Sequence, residues 1–322
     1  MKRSYSICVA TNGQGVFQSP DAGSTWNRVR SPFPLESRVG ALVPHPSHPN
    51  VIFAGADSGI YRSDDKGINW KRLDPLIAGV QVFSMAIDPS DPDVLFAGTT
   101  PPAVFRSSDG GLHWERLKIE PAKECPIGIP RVTAVEVDPH DSRIIWAGVE
   151  IDGVYRSMDQ GESWTRIDDG ISDPDIHDII IRPGEKSQVV VSTPRQLFSS
   201  NDMGESWDSM ATSDSMPLPY CRALAFKEGD PNVIFLASGD SAIGESGGIQ
   251  RSIDGGTTWQ ELPLPDAPNS PIWTFATHPK DTAIIIAVSH FGEIYATEDG
   301  GDTWHKIERE FSEIRDVAWL PN

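Results

Sequence analysis

Arg38, Arg131, Arg222 and Arg315 each stand just before, or one residue into, a short apolar run: VGALVP (39–44), VTAVEV (132–137), CRALAF (221–226) and IRDVAW (314–319). Arginine presents a planar fork of N–H donors that takes a carboxylate, sulfate or phosphate in two-pronged fashion. The chain carries 27 basic against 46 acidic residues, a net charge of −19, so four arginines at like places point to an anion site. Groups able to move protons accompany them: Glu150 in GVEIDGVY (148–155), His177 in PDIHDI (174–179) and Tyr220 in LPYCRAL (218–224). Glutamate and histidine can both be tuned toward neutral pH and serve as general base and acid. Tyr220 and Trp273 offer flat walls for a sugar or an aromatic ring. Asp152 and Glu245 complete the candidate binding set.

A competing reading is structural. The arginines would pair with Asp175, Asp178, Glu313 and Asp316 and tile a solvated surface. A metal site from Glu150, His177 and Asp152 lacks a dense ligand cluster, so no metal is expected. No P-loop, dinucleotide fingerprint or G-x-S-x-G elbow is present, and no cofactor is expected.

The elements that must position these residues come from a repeat. Ser/Thr-x-Asp-x-Gly-x-x-Trp occurs seven times: SPDAGSTW (19–26), SDDKGINW (63–70), SSDGGLHW (107–114), SMDQGESW (157–164), SNDMGESW (200–207), SIDGGTTW (252–259) and TEDGGDTW (297–304). The Asp-to-Asp steps are 44, 44, 50, 43, 52 and 45 residues. A period in this range marks a repeat architecture. Within one repeat, VFSMAI, VLFAGT, AVFRS and WERL are short runs punctuated by Gly, Pro and Asp, hence four antiparallel strands. In each turn the Asp caps backbone N–H groups, the Gly takes a conformation other residues resist, and the Ser or Thr ties the turn to its strand. The Trp buries its ring against the next repeat.

The motif resembles the Asp-box, or BNR, repeat of sialidases, xyloglucanases, sortilin-type receptors and photosystem II assembly factors. The resemblance covers essentially the whole chain. It implies an all-β, seven-bladed β-propeller with the box between the third and fourth strands of each blade. The N-terminal strands (5–11 and 15–19) lack a first strand, which IRDVAW supplies, giving a 3+1 closure and one domain over 1–322. A typical sialidase is not implied: no Phe/Tyr-Arg-Ile-Pro motif is present, and GIPRV (128–132) has the wrong order. Xyloglucanases use two propellers with a cleft between them, more than this length supplies. The layout is most like single-propeller bacterial proteins labelled glycosyl hydrolase-like.

On that fold the first strands line a channel and their entrances form its mouth. One ring there holds Arg38, Gln81, Arg131, Asp175, Tyr220, Pro271 and Glu313; two positions on stand Gly40, Phe83, Thr133, His177, Arg222, Trp273 and Arg315. Loops between second and third strands add Asn12, Asp57, Glu150, Asp152, Arg195, Asp240, Glu245 and His290, the last read as an ordinary loop residue. The expected function is a hydrolase or lyase acting on an anionic small molecule, a uronate-like sugar or an organic acid. The alternative is a non-catalytic binding or assembly scaffold, so a protein partner stays open. The acidic surface should repel nucleic acid and anionic membrane. No run approaches a membrane span, MKRSYSICVATNGQG has no adequate apolar leader core, and three cysteines fit no metal spacing. The expected setting is cytoplasmic.

Overall fold

A computed structural model describes residues 4–73, 77, 79–183, 188–212, 216 and 218–322. Lys2 and Arg3, the basic residues of the leader reading, lie outside them. The described residues contain 28 strands, β1–β28 in chain order, grouped in seven four-stranded antiparallel sheets and no helix. Among the described residues no helix is long and apolar enough to cross a membrane.

The inner strands are β4 (Val39–Pro44), β8 (Gln81–Ile87), β12 (Val132–Val137), β16 (Asp178–Arg182), β20 (Tyr220–Lys227), β24 (Ile272–Ala276) and β28 (Ile314–Pro321). Each touches the next in a closed circuit, β28 returning to β4, so the sheets are the seven blades of a propeller. Blade one is made from both ends of the described chain. Its sheet order is β28, β1 (Tyr5–Thr11), β2 (Gly15–Ser19), β3 (Asn27–Arg28), with Ile7 opposite Trp319 and Val9 opposite Val317. Blades two to seven follow with β4, β8, β12, β16, β20 and β24 as their first strands.

The recurrent turn works as a small hydrogen-bonded unit. In blade three, Ser107 Oγ accepts from Gly111 N at 2.9 Å and donates to Asp109 Oδ1 at 2.9 Å. Asp109 Oδ1 accepts from His113 N at 2.9 Å, and Trp114 Nε1 donates to Gly111 O at 3.0 Å. Gly111 has φ +87°, and a Cβ there would meet Leu73 Cδ1 at 2.8 Å, so both conformation and space demand glycine. Trp114 packs with Phe53, Ile60 and Val82 in the core between blades two and three. The ring therefore buries against the preceding repeat and not the next one, because the turn at the end of the third strand folds back over the earlier blade's sheet. The next blade is reached by an arginine instead. Arg106 donates to Gln160 O at 2.7 Å and to Glu162 Oε1 at 2.9 Å, and Arg156 and Arg251 make the like contacts to Glu205 and Asp302.

Candidate functional site

The inner strands do not run in perfect register. The pairing slips between Val39 and Ala41, Val82 and Ser84, Val132 and Ala134, Cys221 and Leu224, and Ile272 and Thr274. On the closing strand it slips across Arg315. The skipped residues include Gly40, Phe83, Thr133, Arg222, Trp273 and Arg315, the second ring of the mouth. A bulged residue leaves the ladder and its side chain is re-aimed. Of the bulged residues, Trp273 and Arg315 line the cavity at the channel entrance, while Thr133 Oγ1 donates to Ile176 O at 2.6 Å and Arg222 to His177 O at 2.9 Å. His177 reaches the same level one residue ahead of β16.

A cavity of about 740 Å³ opens there, of the size that holds a small molecule. Its wall includes Arg131, Glu150, Asp175, His177, Arg195, Tyr220, Asp240, Trp273, His290, Glu313 and Arg315, with Ile127, Ile243 and Phe291 at the rim. Blades four to seven and blade one supply these residues, so the cavity is off-centre. Arg38, on blade two, is exposed and absent from the wall; its carbonyl accepts from Asp57 N at 2.9 Å. The structure also corrects the placement of Asp152, Glu245 and Arg222. Asp152 is buried and takes hydrogen bonds from Ala122 N (2.6 Å), Tyr155 Oη (2.8 Å) and Arg166 Nη1 (3.1 Å), which turn it away from the cavity to anchor the 118–131 connection. Glu245 is exposed beyond the wall, where its amide donates to Asp240 Oδ2 at 3.2 Å. Arg222 stays off the wall, held by His177 O at 2.9 Å and laid 4.2 Å from the Trp273 ring centre.

The cationic groups are mostly engaged. Arg131 Nε donates to Glu150 Oε2 at 2.8 Å, and Arg315 pairs with Glu313. Among the described residues Asp178 and Asp316 form no ion pair with an arginine, although the Arg222 charge acts on Asp178 from nearby. Asp178 accepts from Leu224 N at 2.8 Å and Ile179 N at 2.9 Å; Asp316 accepts from Leu42 N at 2.7 Å and Val317 N at 2.8 Å. Each so fastens its inner strand to the next blade. With Glu136 they form the acidic lining of the channel below the mouth. They remain partly accessible along the bore yet are ringed by protein, and this enclosure raises Glu136 to about 8, Asp316 to about 7 and Asp178 to about 6. Arg195 is exposed on the wall and, among the described residues, forms no ion pair with a carboxylate.

His177 and Tyr220 adjoin one another, ring centres 5.2 Å apart. His177 Nδ1 lies 2.8 Å from Cys221 O, a carbonyl that can only accept, which assigns the hydrogen to Nδ1. Nε2 is left on the Asp175 side, 3.6 Å from Oδ2, longer than a hydrogen bond. Burial pushes the Tyr220 phenol up, Asp175 and Glu150 adding to this against Arg222 and Arg131, so it stays an O–H donor. Trp273 is less open than a stacking platform requires: Arg222, Arg315 and the His290 ring (4.2 Å) all lie against it. His290 is part of this wall, and burial together with Arg315 and Arg222 lowers its pKa, favouring the neutral ring. Its neighbour in sequence, Phe291, gives no periodic signal that would have marked it. Among the described residues no group of three His, Cys, Asp or Glu is placed to hold a metal.

The family model described as Sortilin, neurotensin receptor 3 (Sortilin-Vps10) matches residues 152–247. A curated relative, a probable oligoxyloglucan-reducing end-specific xyloglucanase of Neosartorya fischeri, is 33% identical over 81 residues, 22% of this chain and 10% of that protein. Among solved structures, the GH74 enzyme of Niastella koreensis superposes with TM-score 0.73 at 18% identity over 92% of this chain and 51% of that one. YCF48 from Cyanidioschyzon merolae superposes with TM-score 0.61 at 16% identity over 88% of each chain. The chain thus spans about half of the GH74 enzyme and a tenth of the curated relative. At these identities the structural likeness is one of fold, a propeller like those of glycoside hydrolases and of YCF48 alike.

Proposed function

We propose that the off-centre cavity binds a small anionic molecule and transfers protons on it, as a hydrolase or lyase would. The observation that carries this reading is Arg195: an arginine without a carboxylate partner among the described residues, on a wall whose other arginines are engaged. A guanidinium fork so exposed to the cavity is free to take a ligand's acid group.

The proton chemistry falls to His177 and Tyr220. With its hydrogen fixed on Nδ1, His177 offers the Nε2 lone pair as a general base, and Asp175 stands where it stabilises the imidazolium that forms. In a lyase step, Nε2 takes the proton α to the ligand's carboxylate, the C–H electron pair becomes a C=C bond, and the leaving oxygen departs with the Tyr220 proton. In a hydrolytic step, Nε2 takes a proton from water, the water oxygen bonds to the ligand carbon as that carbon's bond to the leaving oxygen breaks, and Tyr220 again protonates the leaving oxygen. Glu150 supports this as the partner of Arg131 and not as the proton carrier.

The test is thermal stabilisation of the protein by a panel of uronic acids, short organic acids and their uncharged amides. Stabilisation by acids but not amides, lost in Arg195→Ala, is the expected result. Equal effects of acids and amides, or none from either, would overturn the anion site. A binding or assembly scaffold is the second reading, favoured by the near-equal length of this chain and YCF48.

A further inference from the structure

Two of the six Asp-to-Asp steps are longer than the rest, at 50 and 52 residues against 43 to 45. Much of the extra chain goes to the cavity rim. The 118–131 connection leads into β12, and the 240–246 loop joins the second and third strands of blade six. In repeat proteins such insertions gather on the binding face. Each of these two holds a bare isoleucine over the opening: Ile127 is 64% exposed and Ile243 76%. Phe291, 42% exposed, joins them from blade seven.

The loops are built to hold these side chains out. Cys125 N donates to Gly128 O at 2.8 Å and Gly128 N to Cys125 O at 3.0 Å, closing a tight turn around Ile127. Thr100 Oγ1 fastens Pro130 O at 2.9 Å, and Asp152 fastens Ala122 N. The Asp240 carboxylate accepts from the amides of Ser241 (3.0 Å), Glu245 (3.2 Å) and Ser246 (3.4 Å), clasping the loop that carries Ile243. Elsewhere among the described residues, Ile68, Leu112, Met158 and Ile253 each sit alone in one of the recurrent turns, Leu35 lies by itself on a small separate hollow, and Ile129 stands on the same 118–131 connection as Ile127. Among the described residues, three from different blades surround a concave opening at this rim alone, and scattered single residues are the ordinary condition of a surface.

We propose that the acid this cavity takes is amphiphilic, a carboxylate carried on an aliphatic arm, with the head at Arg195 and the arm between Ile127, Ile243 and Phe291. This rests on the anion-binding reading above. It follows from the pairing of an arginine that has no carboxylate partner among the described residues with an apolar rim on the same cavity. A compact polyhydroxylated acid would leave the rim wet, and an uncharged apolar molecule would leave Arg195 without a partner.

The experiment is isothermal titration of the full chain with acetate, butanoate, hexanoate and octanoate, with octan-1-ol and glucuronate as controls. Affinity should climb about twofold to fourfold per methylene, the upper figure being the transfer value of a fully buried CH₂. Octan-1-ol should bind at least tenfold more weakly than octanoate. The double variant Ile127→Ser/Ile243→Ser alters only exposed side chains, so it should fold normally; it should flatten the chain-length series and leave glucuronate unchanged. Arg195→Ala should weaken every carboxylate alike. If glucuronate or acetate binds and octanoate is no tighter, the amphiphile is wrong and the anion site stands. If octan-1-ol matches octanoate, or no carboxylate binds, the anion site falls and the amphiphilic acid with it.

Discussion

Arg131 and Glu150 are tied twice: side chain to side chain at 2.8 Å, and through the amide of Glu150 to the carbonyl of Arg131 at 3.0 Å. The Glu150 side chain is only 12% exposed. Removing Arg131 would strand a nearly buried carboxylate, whereas removing Arg195 strands nothing. Arg131→Ala should therefore lower stability by about 1–3 kcal/mol, the cost of orphaning such a group. Arg195→Ala should melt like the parent and lose anion affinity by tenfold or more, since a hydrogen bond to a charged group contributes about 1.5–3 kcal/mol. Paired melting curves and titrations separate the two; an Arg195→Ala chain that binds normally would take this residue out of the site.

The turn tryptophans should differ in a graded way. Trp114 is 5% exposed among Phe53, Ile60 and Val82, while Trp259 is half-buried against the core between blades five and six. Trp114→Ala should cost about 3–5 kcal/mol, the range for emptying a large aromatic site. Trp259→Ala should cost visibly less. Chemical denaturation measures both, and equal losses would count against packing as the cause.

Stability should fall as pH rises through neutrality. Enclosure in the channel keeps protons on Glu136 (about 8), Asp316 (about 7) and Asp178 (about 6). Unfolded carboxyls release theirs near pH 4. Between about pH 4 and pH 8 the folded state thus holds more protons than the unfolded one, and its advantage declines with rising pH. Asp178 and Asp316 interact, as do Glu136 and Asp178, so the transition belongs to the set and not to one residue. The turn aspartates act oppositely. Hydrogen bonds from turn amides and side chains hold Asp109, Asp202, Asp254 and Asp299 at about 2, so their contribution is present above about pH 4 and lost as pH falls toward 2. Melting temperature should peak near about pH 5. Glu136→Gln should raise it at pH 8 and leave pH 5 nearly unchanged. A parent protein more stable at pH 8 than at pH 5 would contradict the argument.

The closing strand should be indispensable. Trp319 is 1% exposed and packs with Tyr5 at 5.6 Å between ring centres, and deletion of 312–322 would strip β1 of its inner partner along its whole length, leaving it only β2. The truncated chain should show no cooperative unfolding transition. A soluble truncate with a sharp melt would show that three strands suffice for blade one.

The seven turns and the strand that closes blade one were legible because each is a local pattern repeated in sequence. The site was only partly so. Arg38 and Arg131 occupy the same place in their repeats, yet the cavity forms beside Arg131 alone, where the long 118–131 connection rises. Asp152 reads as a ligand-binding carboxylate beside Glu150, but Ala122 and Arg166, 30 residues before it and 14 after, claim it. Whether a polar residue faces the mouth depends on the register slip in its strand, and a slip is a property of pairing that alternation in one strand does not reveal. The reach of Arg106, Arg156 and Arg251 to the following blade was not legible at all, since it needs the angle between blades.

Blade one also sets an order of events. Ile7 and Trp319, paired across blade one, stand 312 positions apart, so the contact that completes the circle is also the one with the longest intervening chain to close. Pairings of such separation reward the chain only after their loop entropy has been met, so the six blades built from neighbouring strands should form first and the circle should lock last.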